Sequence, residues 1–167
     1  PTDTDPDLIG DWDEEHEPIW PTLVTLGQDA GGWRLVNLEA LGVITLTGNH
    51  TYSDDILRYW IAELSVSHWA RDVEIAGADA VAGLPSLVRR RYWRGRPDNL
   101  IGELIENATD HDHWLGEGQL PSMDAARAAQ AGPELWMPRV VIARPDQERL
   151  DELADVVSTH PGRTGIT

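Results

Sequence analysis

The chain of 167 residues contains no cysteine, no phenylalanine and no lysine. Without cysteine, disulfides and thiol catalysis are excluded, and redox chemistry leaves the compartment undecided. Without phenylalanine, the aromatic volume of a core has to come largely from the eight tryptophans. Without lysine, all 13 basic residues are arginine. A Schiff base, a catalytic lysine and a lysine-bearing phosphate loop are therefore ruled out by inventory. An arginine-only set beside abundant Ala, Gly and Asp is also what a GC-rich coding sequence produces. Long apolar runs are missing too. None approaches the ~18–20 residues that span a bilayer, and no basic-then-apolar signal segment opens the sequence.

What is present suits one domain, or a domain plus a tail. A hydrophobic fraction of 41% is enough for a core. The formal net charge of −16 repels nucleic acid and anionic membranes at long range. Part of it is local: Asp3, Asp5, Asp7, Asp11, Asp13, Glu14, Glu15 and Glu17 crowd residues 1–18, which hold no arginine. Such a segment cannot bury enough apolar surface to order itself. It reads as an acidic disordered linker joined to an upstream domain, with residues 19–167 as the folded domain.

After Pro18 the pattern changes. "TLVTLG" (22–27) and "WRLVNL" (33–38) are strand-like runs around the glycine-rich "QDAGG", which predicts an N-terminal β-hairpin. "GVITLT" (42–47) predicts a central strand. A helix is expected from Ser53 to His68, capped by Ser53, with Asp54 and Asp55 in its first turn and Ile56, Leu57, Trp60, Ile61 and Leu64 inward. "DVEIAGA" (72–78) and "RVVIAR" (139–144) predict two more strands. "SLVRRRYW" is ambiguous between helix and strand. Helices are expected from Asn99 to about Thr109, over "PSMDAARAAQAG", and over "PDQERLDELADVVSTH" with Leu150, Leu153, Val156 and Val157 inward. The final "GRTGIT" looks like the entry to another strand, which suggests a piece cut from a longer protein. Strands alternating with helices argue for an α/β fold of three layers, a mostly parallel sheet flanked by helices. Residues 84–136 read as a helical insertion in it.

The run "VITLTGNHTYSDDILRYW" (43–60) has the outline of a phosphate-binding loop: strand, glycine, turn, helix. Laid on the phosphate-loop pattern from Gly48, the second glycine falls on Ser53, the lysine on Asp54 and the hydroxyl on Asp55. Two carboxylates there repel a triphosphate. At ~4 Å and an effective dielectric of ~20, each charge pair costs on the order of several kcal/mol before screening. The strand that would supply an acid for magnesium ends in Ala143 and Arg144. Gly48, Ser53, Asp54 and Asp55 thus form a degenerate nucleotide site, expected inactive. The bland alternative is a strand–turn–helix crossover of some unrelated α/β fold.

The order "LVTLGQDAGGWRLVNLEALGVITLTG", followed by a helix ending "IAELSVSHWARDVEIAG", resembles a segment of large multidomain actinobacterial proteins. Those proteins carry LysM-type or transcriptional-activator domains and membrane helices. The segment in turn resembles a degenerate relative of FtsK/SpoIIIE-type DNA-translocase ATPases, with "VVIAR" where those enzymes have "VVIDE" and "GRTGIT" where they have "GRAAGIHLI". The resemblance runs from about Leu23 to the C-terminus and is slight over 84–136. It implies a P-loop-NTPase-like fold and a cytoplasmic setting. No active-site residue carries over.

Other clusters have simpler readings. Arg89, Arg90, Arg91, Tyr92, Trp93, Arg94 and Arg96 mix guanidinium and aromatic faces, as single-stranded nucleic acid contacts do. Against a charge of −16 the favoured reading is a contact patch for protein or for the chain's own acids. "DHDHW" (110–114) offers His111, His113, Asp110 and Asp112, but no third histidine stands at a recognisable spacing, so a solvated polar loop is expected and no metal. Ser53, Ser86 and Ser122 lie at helix starts, where capping accounts for them. No catalytic residues and no cofactor are expected. The function expected is a non-catalytic scaffold or regulatory domain of a larger bacterial protein. Its partners would be other protein domains, subunits or a second copy of itself, with no membrane contact and nucleic acid disfavoured. The alternatives are an ATPase subunit completed in trans, through Arg144 or an arginine of 89–96, and a nucleic-acid-associated module of a transcriptional regulator.

Overall fold

The structure is a computed structural model that describes residues 18–77, 92–93, 97–132, 137–143 and 149–167. The acidic segment lies outside these residues apart from Pro18, as do Ser86, Arg89, Arg90, Arg91, Arg94, Arg96 and Arg144.

The predicted hairpin is present. β1 (Leu23–Asp29) pairs antiparallel with β2 (Gly32–Asn37), with one bulge between Thr25 and Gly27. The turn is held by the Asp29 carboxylate, which accepts from the Gly31 amide at 2.7 Å and from Arg34 Nε at 2.7 Å. A short helix, α1 (Leu38–Leu41), follows and stops at Gly42, whose φ of +69 disfavours any side chain. After α2 (His50–Val66) and a single 3-10 turn, His68–Ala70, come β3 (Glu74–Ala76) and β4 (Tyr92–Trp93). The chain continues through α3 (Pro97–Glu117), α4 (Met123–Ala128), β5 (Arg139–Val141) and α5 (Leu150–Thr159). β4, β3 and β5 form a parallel sheet in that order, and Ile166 adds an isolated parallel bridge to Arg139. The class is therefore α/β, with one small antiparallel sheet and one small parallel sheet among the described residues.

Period-two alternation sorts the parallel strands into two cores. Ile75, Val140 and Ile142 pack with Trp60, Ile61 and Leu64 of α2 and with Val24 and Leu38. Ala76, Val141 and Ile166 pack instead with Leu100, Ile101, Leu104 and Ala108 of α3 and Leu153 and Val157 of α5. The stretch read as a helical insertion thus contributes α3 to the core. A third cluster, Leu115, Met123 and Ala126 with Trp114 and Leu120, joins the end of α3 to α4.

In a chain without phenylalanine, the buried tryptophans bring N–H groups that need acceptors. Two of them serve β1. Trp60 Nε1 donates to the Thr25 carbonyl at 3.0 Å, and Trp69 Nε1 donates to the Leu23 carbonyl at 3.1 Å. Between them Glu63 accepts from the Thr25 amide at 2.8 Å and from its hydroxyl at 2.7 Å. The outer edge of β1 is closed by side chains of α2 and the turn after it, in place of a neighbouring strand.

Several boundaries depart from the sequence reading. Residues 42–47 are not a sheet strand. Their burial still alternates, with Ile44 and Leu46 packed against the α2 core and Val43, Thr45 and Thr47 exposed. The β pattern is present but the ladder is missing, because a strand needs a partner as well as propensity. Helix α2 begins three residues earlier than expected, capped by Asn49 rather than Ser53. Ile56 lies on its exposed side with Tyr52 and Tyr59, at i, i+4 and i+7. Helix α3 runs past Thr109 to Glu117, so "DHDHW" is helical and not a loop. No described helix is long and apolar enough to cross a membrane.

Candidate functional site

The expected nucleotide site falls at the entrance to α2. Gly48 has φ +108 and open space where a Cβ would stand. The Asn49 side chain accepts from the Thr51 amide at 2.9 Å, an interaction that satisfies one of the helix's free donors. The Ser53 amide donates to the Asn49 carbonyl at 3.1 Å as an ordinary helical bond. Ser53, Asp54 and Asp55 are therefore the fourth to sixth residues of the helix, and its first turn carries no acid. Asp55 bonds Arg58 Nη1 at 2.6 Å on the exposed surface. The amides at the mouth belong to His50, Thr51 and Tyr52, and no lysine exists anywhere in the chain to reach a phosphate held there.

The second half of the expected site is the end of β5. Its described part, through Ala143, presents no acid. Of the arginine-rich patch, only the backbone of Tyr92 and Trp93 is described, as β4 beside β3.

"DHDHW" serves as a fastener. Asp112 accepts from Arg163 Nε at 2.5 Å, and His160 Nδ1 lies 3.2 Å from its other oxygen. Arg163 also donates to the carbonyls of Asp112, Leu120 and Pro121 at 3.1, 2.9 and 3.0 Å. His111 Nδ1 is 2.8 Å from the Thr164 carbonyl oxygen. These residues pin 160–165 to the end of α3. Among the described residues no group of three His, Asp or Glu side chains is arranged to hold a metal.

The sequence reading missed a buried ion pair. Arg127 of α4 donates bidentately to Glu39 of α1, Nη1 to Oε2 at 2.5 Å and Nη2 to Oε1 at 2.8 Å, with both side chains almost fully buried. The Glu39 amide in turn donates to Thr22 Oγ1 at 3.0 Å, and that hydroxyl donates to Asn37 Oδ1 at 2.7 Å. A cavity of about 170 Å³ opens beside the pair, between Asn37, Ser122, Asp124 and Gly162. Its acids are already engaged: both Glu39 oxygens face Arg127, and Asp124 accepts from Ser122 and from the Ala125 amide. The ion pair ties α1 to α4. Its only trace in the sequence is an arginine at an inward position of an alanine-rich helix.

No protein-family model and no curated protein matches the chain. Among solved structures, the pCW3 conjugation coupling protein TcpA, in its monomer form with ATPgS, is similar with a TM-score of 0.58. The identity is 12%, over 93% of this chain and 49% of that one, so the chain spans about half the length of the solved protein. The chain therefore shares its α/β fold with part of a conjugation coupling protein.

Proposed function

We propose that residues 19–167 form a P-loop-ATPase-like domain of three layers that has lost nucleotide chemistry and acts in the cytoplasm as a scaffold or regulatory module through contacts with other protein domains. The fold likeness supports the ATPase-like ancestry. The observation that carries the loss is the entrance to α2: Asn49 takes the Thr51 amide, Ser53 stands in the position of the second glycine, and Asp54 and Asp55 stand where a lysine and a hydroxyl would serve phosphate and magnesium. The helix mouth keeps its dipole, but the chain has no lysine to reinforce it.

The test is thermal unfolding with millimolar Mg-ATP. A ligand at 100 times its Kd adds about 2.7 kcal/mol, which moves Tm by roughly 5–10 °C in a domain of this size. No shift is expected, and no ATP turnover. A magnesium-dependent shift of several degrees overturns the proposal. A subunit completed in trans is the second reading, favoured by the likeness to a protein solved with ATPgS. It requires turnover that emerges only on mixing with a partner chain and falls with Arg144→Ala.

A further inference from the structure

The hairpin has two outer edges, and they are built differently. On β1, the Thr25 amide donates to Glu63, its carbonyl accepts from Trp60, and the Leu23 carbonyl accepts from Trp69. These bonds fix the parity of β2. A β1 residue whose amide and carbonyl point away from β2 lies opposite a residue whose own groups point away from β1. Thr25 lies opposite Leu35, so the Leu35 amide and carbonyl point outward. Trp33, two residues earlier on the strand without the bulge, does the same. Among the described residues, no hydrogen bond reaches the outward groups of either one. Their side chains share one face of the hairpin and are exposed, Trp33 at 67% and Leu35 at 53%. Val36 points the other way, against the α2 core.

Such an edge is a template for another strand, and folded proteins guard theirs with charges, prolines or bulges. β2 has no proline and no acid. Its one charged residue, Arg34, is held by Asp29 at 2.7 Å. The chain as a whole carries −16, so this strip is a place where two copies can meet without acid facing acid. Its apolar pair is also its own complement. A two-fold axis through Arg34 sets Trp33 opposite Leu35 of the second copy, and Leu35 opposite the second Trp33. Each of these pairs exchanges both backbone hydrogen bonds and adds an aromatic–aliphatic contact on one face.

We propose that β2 is a dimerisation edge, pairing antiparallel with β2 of a second copy to join two hairpins into one continuous sheet. The proposal stands apart from the reading of the α2 entrance, because the two regions share no residue.

The test is hydrogen exchange and sedimentation of the 167-residue chain over a roughly hundredfold range of concentration. The Trp33 and Leu35 amides are expected to slow by about tenfold at the top of that range, while Arg34 and Val36, bonded to β1 at every concentration, do not change. The dimer should tighten as salt rises, because salt screens the repulsion between two acidic chains. Leu35→Pro deletes an outward donor without costing β2 a bond to β1. Leu35→Glu, at an exposed site, puts an acid on each side of the seam. Both variants should be monomeric, with slow exchange at the Thr25 amide as the sign that the hairpin is folded. If the proline opens the hairpin, the glutamate variant decides alone. Exchange and sedimentation that ignore concentration overturn the proposal. So does a dimer that survives in a folded variant, loosens as salt rises, or slows all β2 amides alike.

Discussion

Two stretches of this molecule have a strand's outer edge to satisfy, and they do so in opposite ways. The edge of β1 is closed by Trp60, Glu63 and Trp69, whose side chains take the two carbonyls and the amide that a neighbouring strand would have taken. Residues 43–47 alternate between exposed and half-buried, and no described residue bonds their backbone. The difference is one of distance along the chain. β1 meets its cover from α2 and the 3-10 turn after it, about 35–46 positions on, and α2 also supplies Ile61 and Leu64 to the core. Residues 43–47 have no backbone hydrogen bond to any described residue, and Thr167 bonds the Gly42 carbonyl just before them. β propensity alone therefore does not decide which of two similar segments becomes a strand.

The largest test of this contrast removes the anchor on the closed side. Arg127→Leu leaves the Glu39 carboxylate buried without its partner, at a cost of about 3–5 kcal/mol in urea unfolding. The double variant Glu39→Leu/Arg127→Leu should cost less than the single one, since no charge is then stranded. If the single variant proves neutral, the pair does not hold α1 and the hairpin to α4.

A smaller effect addresses the closed edge itself. Trp60→Phe keeps most of the ring and deletes the donor to Thr25, leaving that carbonyl unsatisfied, at about 1–3 kcal/mol. Trp69→Phe, at a half-buried site, should cost less. The Thr25 amide should exchange faster in both variants. Unchanged exchange would mean that the indoles do not guard β1.

The smallest effect lies at the hairpin turn. The Arg34 guanidinium, followed by the Gly31 amide, holds the Asp29 carboxyl below its ordinary value of 3.8. A depressed carboxylate stabilises the turn above the unfolded pKa, and that contribution is lost as pH falls through the folded value. Arg34→Ala should raise the Asp29 midpoint in an NMR titration while leaving the α2 core unchanged. An unmoved midpoint would remove the turn's ion pair from the account.

Where hydrophobic period and turn chemistry agree, the fold was legible in the residues. The hairpin around "QDAGG", the buried faces of α2 and α5, and the strands 74–76 and 139–141 all follow from local pattern. What was hidden depends on long-range partners. The phosphate-loop spacing drew attention to Ser53, while Asn49, one residue after Gly48, was free to bond the Thr51 amide and start the helix sooner. The polar run 110–113 looked like a loop because its partners, the Arg163 guanidinium and the Thr164 carbonyl, lie about fifty residues away. Leu104, Ala108 and Leu115 carried the helical spacing through it and are all buried. The Glu39–Arg127 pair joins positions 88 apart, and no local pattern marks it.

The contact between Thr167 and Gly42 spans 125 positions. At ribosomal speeds of about 5–20 residues per second, Gly42 has been synthesised on the order of ten seconds before its partner exists. Throughout that interval Ile44 and Leu46 are available to any other unpaired backbone nearby. Thr45 and Thr47, set between and beyond them, are the polar interruptions that keep this waiting stretch from becoming a continuous apolar ribbon.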